Sequence, residues 1–263
     1  MEILRLTNVK GRLKNGSTFP LLINALNGKN NESSYVMKTY KKSYNEENFT
    51  IAKEIIVSEL ARKFDLNVPE YALVKIDKSL LKEHYTEEFI NDLDNGYKFC
   101  TEYVDGSVSA IHDVSKKYLD NYEYSKLFAL DQLTMNGDRG RFNNKSNLLF
   151  TDAKMILIDH ELTFPFYGQT KNESNHFNIF QIFYCKNHIF WNNLNKLNEQ
   201  EKIHIFDEFI EILRNINFEF LNFVFEDLDK YGIPYGDKDV ILSYLYWAKS
   251  NCGKIHKILN QKI

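Results

Sequence analysis

The chain has 263 residues, 43% of them hydrophobic and 26% charged, with a formal net charge of -3. That length can bury a full core in one two-lobed domain or two small ones, and a composition so ordinary excludes a disordered chain. A slightly acidic protein carries no global basic field to recruit nucleic acid directly, and no run of 18 apolar residues is present to span a bilayer. Cys100, Cys185 and Cys252 are odd in number and widely spaced, which argues against a disulfide framework or a zinc site. The N-terminal MEILRLTNVK lacks the apolar core of a signal peptide, so a cytoplasmic location is expected.

In chain order, residues 9–13, 20–25 and 35–40 read as strands, separated by an Asn15-Gly16 turn and a polar loop. Ser17 and Thr18 at the turn could cradle a phosphate, although a plain hairpin is the commoner use of a single glycine. The strand YVMKTY places Lys38 at its middle, and residues 38–42 form a short basic cluster that reads as solvated surface. Ile51, Ile55, Ile56, Leu60 and Phe64 recur at helical spacing over residues 51–64, a helix that also carries Glu54 and Glu59. Pro69 ends it, because the residue before a proline is pushed out of the helical region.

Residues 71–76 read as a strand, 80–93 as a polar helical insertion and 97–104 as a further strand. Helical spacing returns over 119–135, then over 177–184, 203–225 and 238–259. His176, His188, His204 and His256 form no H-x-x-x-H pair and receive no metal role.

Most of the chemistry lies in residues 130–165, LDQLTMNGDRGRFNNKSNLLFTDAKMILIDHELTFP. Asp138 sits in a polar loop, Asn143 and Asn147 follow, and two short apolar runs form a hairpin that ends in Asp159. Hard cations such as Mg²⁺ take oxygen ligands from one or two carboxylates plus substrate phosphates, so an amide and an acid at the ends of paired strands suit a metal-nucleotide site. Asp138 is then available to orient or deprotonate a hydroxyl, as in the phosphoryl-transfer pattern of loop Asp, downstream Asn and later metal-binding Asp. The bland alternative is a turn with acids at its ends, inside a helical interaction protein.

The segment resembles HipA-like kinases, in particular the short HipA-related family, through Asn136, Asp138, Arg139, Asn147, Leu148, Leu149, and then Ile158, Asp159 and His160. More distantly it resembles type II phosphatidylinositol 4-kinases, which share an N-x-D-R-G run and an I-D ahead of a pair like Phe164-Pro165. The segment EIIVSELARKFDLNVPEYALVKI also matches the helix, turn and strand of the short HipA-like kinases.

The resemblance implies an α+β, two-lobed protein-kinase-like fold, with a small β-rich lobe over residues 1–104 and a mainly helical lobe over 105–263. It implies Lys38 on the phosphates of ATP, Glu54 steadying Lys38, and backbone groups of Glu102 and Val104 at a hinge that meets the adenine. Asp159 and an asparagine would hold Mg²⁺, with Asp138 aligning the acceptor hydroxyl. Five-residue spacing after Asp138 selects Asn143, whereas the start of the strand selects Asn147, which we prefer because its direction is fixed there. Arg139 is assigned either a phosphate or a neighbouring acid. Autophosphorylation at Ser17 or Thr18 is a further expectation.

The implied activity is an ATP-dependent kinase of protein serine/threonine, with a toxin or a housekeeping role left open. The alternatives are a lipid or small-molecule kinase and a pseudokinase binding module. A protein substrate is the expected partner, without direct nucleic-acid binding; an antitoxin-like partner protein is left open.

Overall fold

A computed structural model gives the protein's structure over residues 1–13, 20–93, 95–109, 116–140, 146–167 and 176–263. It is a mixed α+β protein, β-rich in its N-terminal part and helical in its C-terminal part. The N-terminal elements are β1 (Ile3–Arg12), β2 (Leu21–Leu26), β3 (Glu32–Met37), α1 (Lys42–Asn48), α2 (Thr50–Lys63), β4 (Tyr71–Val74), a 3-10 turn (Lys78–Leu81), α3 (Glu87–Asp92) and β5 (Lys98–Glu102). Then come β6 (Val108–Ser109), α4 (Lys116–Leu119), α5 (Tyr124–Thr134), β7 (Leu148–Phe150) and β8 (Met155–Leu157). The remainder is α6 (His176–Ile182), α7 (Trp191–Asn195), α8 (Glu199–His204), α9 (Asp207–Asn215), α10 (Phe220–Lys230), α11 (Lys238–Ser250) and α12 (Cys252–Lys262). Among the described residues, no helix is long and apolar enough to cross a membrane.

Contacts divide these residues into two compact units. The first comprises Met1–Ile56, Pro69–Asp105 and Asn222–Gly236; the second comprises Val57–Val68, Gly106–Leu221 and Asp237–Ile263.

The first unit is organised by a closed barrel of order β1-β2-β3-β5-β4, sealed by parallel pairing of β1 with β4. Its residues alternate as a half-buried strand requires: Leu21, Ile23 and Ala25 of β2 are fully buried while their neighbours are partly exposed. Met37, Val74 and Cys100 join them in the core, and Leu81, Ile90 and Leu93 cover it from the 78–93 segment. That segment is a turn and a short helix rather than one helix over 80–93. Its two starts are capped separately, with Asp77 accepting from Ser79 N and Thr86 Oγ1 accepting from Phe89 N.

Two further features of this unit depart from the sequence reading. Strand β3 ends at Met37, so Lys38 follows the strand instead of standing at its middle. Its N–H still donates to Phe99 O at 2.9 Å, which carries the β5 pairing one residue further. Helix α1 was not foreseen; Phe49, left-handed at φ 53°, ends it, and α2 starts at once. The buried Asn45 joins the two, its Oδ1 accepting from Thr50 Oγ1 (2.7 Å) and Ile51 N (3.1 Å).

Helix α2 is buried around most of its circumference, which explains why Ala52, Ile55, Ile56, Val57 and Ala61 leave no polar stripe. Within the first unit, the ring of Tyr97 meets that of Tyr231 edge-on at 5.3 Å.

In the second unit, β6, β7 and β8 form an antiparallel sheet. Asn67 continues it, its carbonyl accepting from Leu157 N at 2.8 Å and its Nδ2 donating to Met155 O at 3.3 Å. Phe64 stacks on Phe209 of α9 at 4.5 Å, and α9 also packs against α11 and α12.

The long helices expected over 119–135, 203–225 and 238–259 are each interrupted. Helix α4 stops at Leu119 before α5 starts, Asn217 turns the chain by accepting from Glu219 N, and Asn251 separates α11 from α12. The apolar period runs across each break, so spacing alone does not reveal it.

Candidate active site

The chemistry in the second unit starts from a buried acid. Helix α5 is covered along its length, and Asp131 lies within it at 1% exposure. A buried carboxylate must be compensated. Asp131 Oδ2 accepts from Arg139 Nε (2.8 Å) and faces His188 Nε2 (3.0 Å), while Oδ1 accepts from Asn136 Nδ2 (3.0 Å) and Arg139 Nη2 (3.4 Å).

Burial alone would raise the carboxyl's pKa, but the Arg139 guanidinium and the His188 hydrogen bond outweigh it and bring it down to about 2. Burial pushes His188 below its ordinary value, against the pull of Asp131. Phe190 N donates to His188 Nδ1 at 3.2 Å, so the neutral imidazole carries its proton on Nε2 and donates it to Asp131.

Arg139 is itself 1% exposed. Its Nη1 donates to the carbonyls of Ile158, at 3.1 Å, and of Asn147. The expectation of a phosphate or a neighbouring acid for Arg139 therefore resolves to the acid, Asp131. Four hydrogen bonds from its five N–H donors to protein acceptors keep the guanidinium inside.

Directly before Arg139, Asp138 is partly exposed, and its N–H donates to Asn136 Oδ1 at 3.0 Å. Asn147 Nδ2 donates both to Asp138 Oδ2 (2.8 Å) and to Asp138 O (3.1 Å). That bond orients the Asn147 amide with its Oδ1, the atom a hard cation takes, away from Asp138. Asn147 precedes β7 at φ 51°, and Asp159 follows β8 at φ 63°, both in the left-handed region. One carboxylate oxygen of Asp159 lies within 4.8 Å of one of Glu161. Two hard carboxylate donors and an amide carbonyl fit the chemistry of Mg²⁺.

In the first unit, Lys38 forms an ion pair with Glu54 Oε1. The same oxygen accepts from Tyr40 OH at 3.0 Å, and the Lys38 ammonium stands 5.8 Å from the centre of the Tyr40 ring. Glu54 is 1% exposed and Tyr40 3%, so the pair is held in a protected setting. Glu102 N–H is donated to Glu70 O at 2.7 Å, which leaves any hinge role of that residue to its carbonyl; Val104 lies in the loop after β5.

A family model described as HipA-like kinase matches residues 6–220. The chain belongs to the HipA-like kinase family. Membership makes this a kinase of the phosphotransferase class, for which ATP and a divalent metal are the implied reagents. No curated protein matches the chain closely enough to count as a relative.

Solved structures similar to this HipA-like kinase include two of far greater length. One is titled "Complete CtTel1 dimer with C2 symmetry" (10% identity, TM-score 0.33) and covers 98% of this chain and 11% of that one. The other, "FAT and kinase domain of CtTel1", is also 10% identical, with a TM-score of 0.28, and covers 98% of this chain and 21% of that one. The chain thus spans about a fifth or less of the length of either, and likeness at that level carries no argument.

Of the residues singled out from the sequence of the HipA-like kinase, the structure brings Asp138 against Asn147, and Lys38 against Glu54. Asn143, Ser17 and Thr18 lie outside the described residues. Sequence reasoning missed Asp131, His188, Tyr40 and Glu161. The signal for Asp131 was available, since an acid inside the apolar period of residues 127–133 requires a buried partner. Nothing local marks His188, 57 residues further on.

Proposed function

We propose that this HipA-like kinase has the two-lobed protein-kinase-like fold, with residues 1–104 as its small lobe, and transfers the γ-phosphate of ATP to a serine or threonine hydroxyl of a protein. The observation that carries this reading is the hydrogen bond from the Asn147 amide to the Asp138 carboxylate, which joins a candidate metal ligand to a candidate base. Phosphoryl transfer is catalysed mainly by positioning and charge neutralisation, so the residues divide into clamp, metal ligands and base.

Lys38 neutralises phosphate charge, with Glu54 and Tyr40 holding its ammonium in place. Asp159 and Asn147 are assigned to Mg²⁺, with Glu161 beside Asp159 as a further oxygen donor. Bound there, the ion would neutralise charge on the β- and γ-phosphate oxygens. Asp138 accepts the proton of the attacking hydroxyl; its own orientation is set by the Asn147 and Asn136 side chains. The neutral His188 and the depressed Asp131 carboxyl exchange no proton with substrate in this scheme.

The acceptor protein and an antitoxin-like partner belong to the same proposal, as does autophosphorylation at Ser17 or Thr18. Incubation of the purified chain with Mg²⁺ and ATP, followed by intact mass and peptide mapping, tests it. A gain of one phosphate on serine or threonine, or its transfer to an added protein substrate, is expected, together with ADP release. Transfer only to lipid or small-molecule hydroxyls would replace protein as the acceptor. Nucleotide binding with no transfer to any acceptor would make the chain a pseudokinase.

A further inference from the structure

The two residues assigned to the metal share an unusual backbone. Asn147 (φ 51°) and Asp159 (φ 63°) are both left-handed, a region that Asn and Asp enter more readily than other residues with a side chain. They flank the β7–β8 hairpin, and Ile158 N donates to Asn147 O at 3.1 Å. One buried guanidinium reaches both positions: Arg139 Nη1 donates to Asn147 O and to Ile158 O, the carbonyl of the peptide bond that enters Asp159.

We propose that Arg139 is a positioning residue for the metal ligands, fixing through these two carbonyls the backbone from which the Asn147 and Asp159 side chains project. The inference rests on the kinase reading of the site. The planar fork leaves little freedom. Its Nε–Nη2 edge is taken by Asp131, which is held in turn by His188 and Asn136, so the opposite edge meets the two carbonyls at a set angle. The backbone of Arg139 is fixed as well, because Ile189 N donates to Arg139 O at 2.9 Å. Gly140 lies so close to the segment that carries Ile189 that an added Cβ would come within 2.5 Å of Asn187 O. A lysine at 139 would keep the charge but offer a point donor that cannot serve both edges.

The test uses Mn²⁺ as the probe, in the full chain with a non-hydrolysable ATP analogue, read by electron paramagnetic resonance at a temperature where every variant is folded. Arg139→Lys is expected to weaken Mn²⁺ binding by roughly 10- to 100-fold, the range found when groups that orient metal ligands are removed. Its affinity for the analogue without metal stays at the wild-type value. Ile241→Ala, a buried α11 change outside the site, supplies the comparison: it lowers the melting temperature and leaves Mn²⁺ affinity unchanged. If Arg139→Lys also loses only melting temperature, Arg139 is structural and the proposal is overturned.

Should Arg139→Lys not fold, Asp131→Asn keeps the guanidinium but weakens its anchored edge. It is expected to weaken Mn²⁺ binding in the same direction, and wild-type affinity would overturn the proposal. A wild-type chain that binds no Mn²⁺ with the analogue removes the kinase reading itself, and this inference with it, whereas normal wild-type binding with unshifted variants removes the inference alone.

Discussion

At the scale of single residues, the arrangement separates groups that would act from groups that hold them. Asp138→Asn keeps the shape of the loop but removes the base, so phosphate transfer should fall by roughly 10²- to 10⁴-fold while ATP binding persists; turnover and nucleotide titration on the same sample check this. Tyr40→Phe keeps the ring beside Lys38 and deletes the hydroxyl on Glu54. A hydrogen bond of this kind is worth about 0.5–1.5 kcal/mol, so ATP affinity should weaken roughly two- to tenfold, with Asp138-dependent chemistry at saturation little changed. Glu54→Gln should do more, since it removes the negative charge from the ion pair with Lys38.

His188 gives a pH prediction whose sign follows from burial. Its folded pKa is lowered, so the unfolded chain binds the proton first as pH falls. The stability that His188 contributes is then complete above about pH 6.5, the ordinary value, and declines as acid carries the pH down toward the folded value. Urea midpoints measured from pH 7.5 to 5 should fall more steeply in wild type than in His188→Asn. Asp131 acts in the same direction but lower: its contribution is present above the ordinary carboxylate range and is lost only as pH approaches about 2.

At the scale of elements, α1 and α2 show what spacing does and does not convey. The apolar positions of α2 are visible in residues 51–64, whereas α1 has no apolar face and exists because Phe49 reverses the chain and Asn45 reaches across the break. Asn45→Ala should cost about 0.5–2 kcal/mol, the usual loss of a helix cap, measured by chemical denaturation. Likewise, the polar segment 78–93 reads as one helix until its two capped starts, at Asp77 and Thr86, are seen. Lys38 falls just after the strand for a related reason: the pairing of β3 with β2 ends at Met37, opposite Leu21, and not where the side-chain pattern changes.

At the scale of the whole molecule, a mildly acidic chain with no single-sign field should depend on its local site, not on net charge, to bind a nucleotide. Mg²⁺ and ATP together, at about 100 times the dissociation constant, should add roughly 2.7 kcal/mol to the stability of the folded state. A thermal-shift series checks this: ATP with Mg²⁺ should raise the melting temperature more than ATP with EDTA, and Asp159→Ala should erase the difference.

By itself, the sequence determined the α+β class and, through the motifs it shares, the kinase family, and it singled out Lys38, Glu54, Asp138, Asn147 and Asp159 as the candidates, because motif order and residue type are local properties of the chain. Only the tertiary structure decided that Arg139 is buried on Asp131, that His188 closes the same cluster, and that one guanidinium holds the carbonyls of Asn147 and Ile158. The reason is physical. Periodicity and motif spacing report what a residue meets within a few turns of its own element, whereas the partner of a buried charge is set by which distant segments packing brings to it.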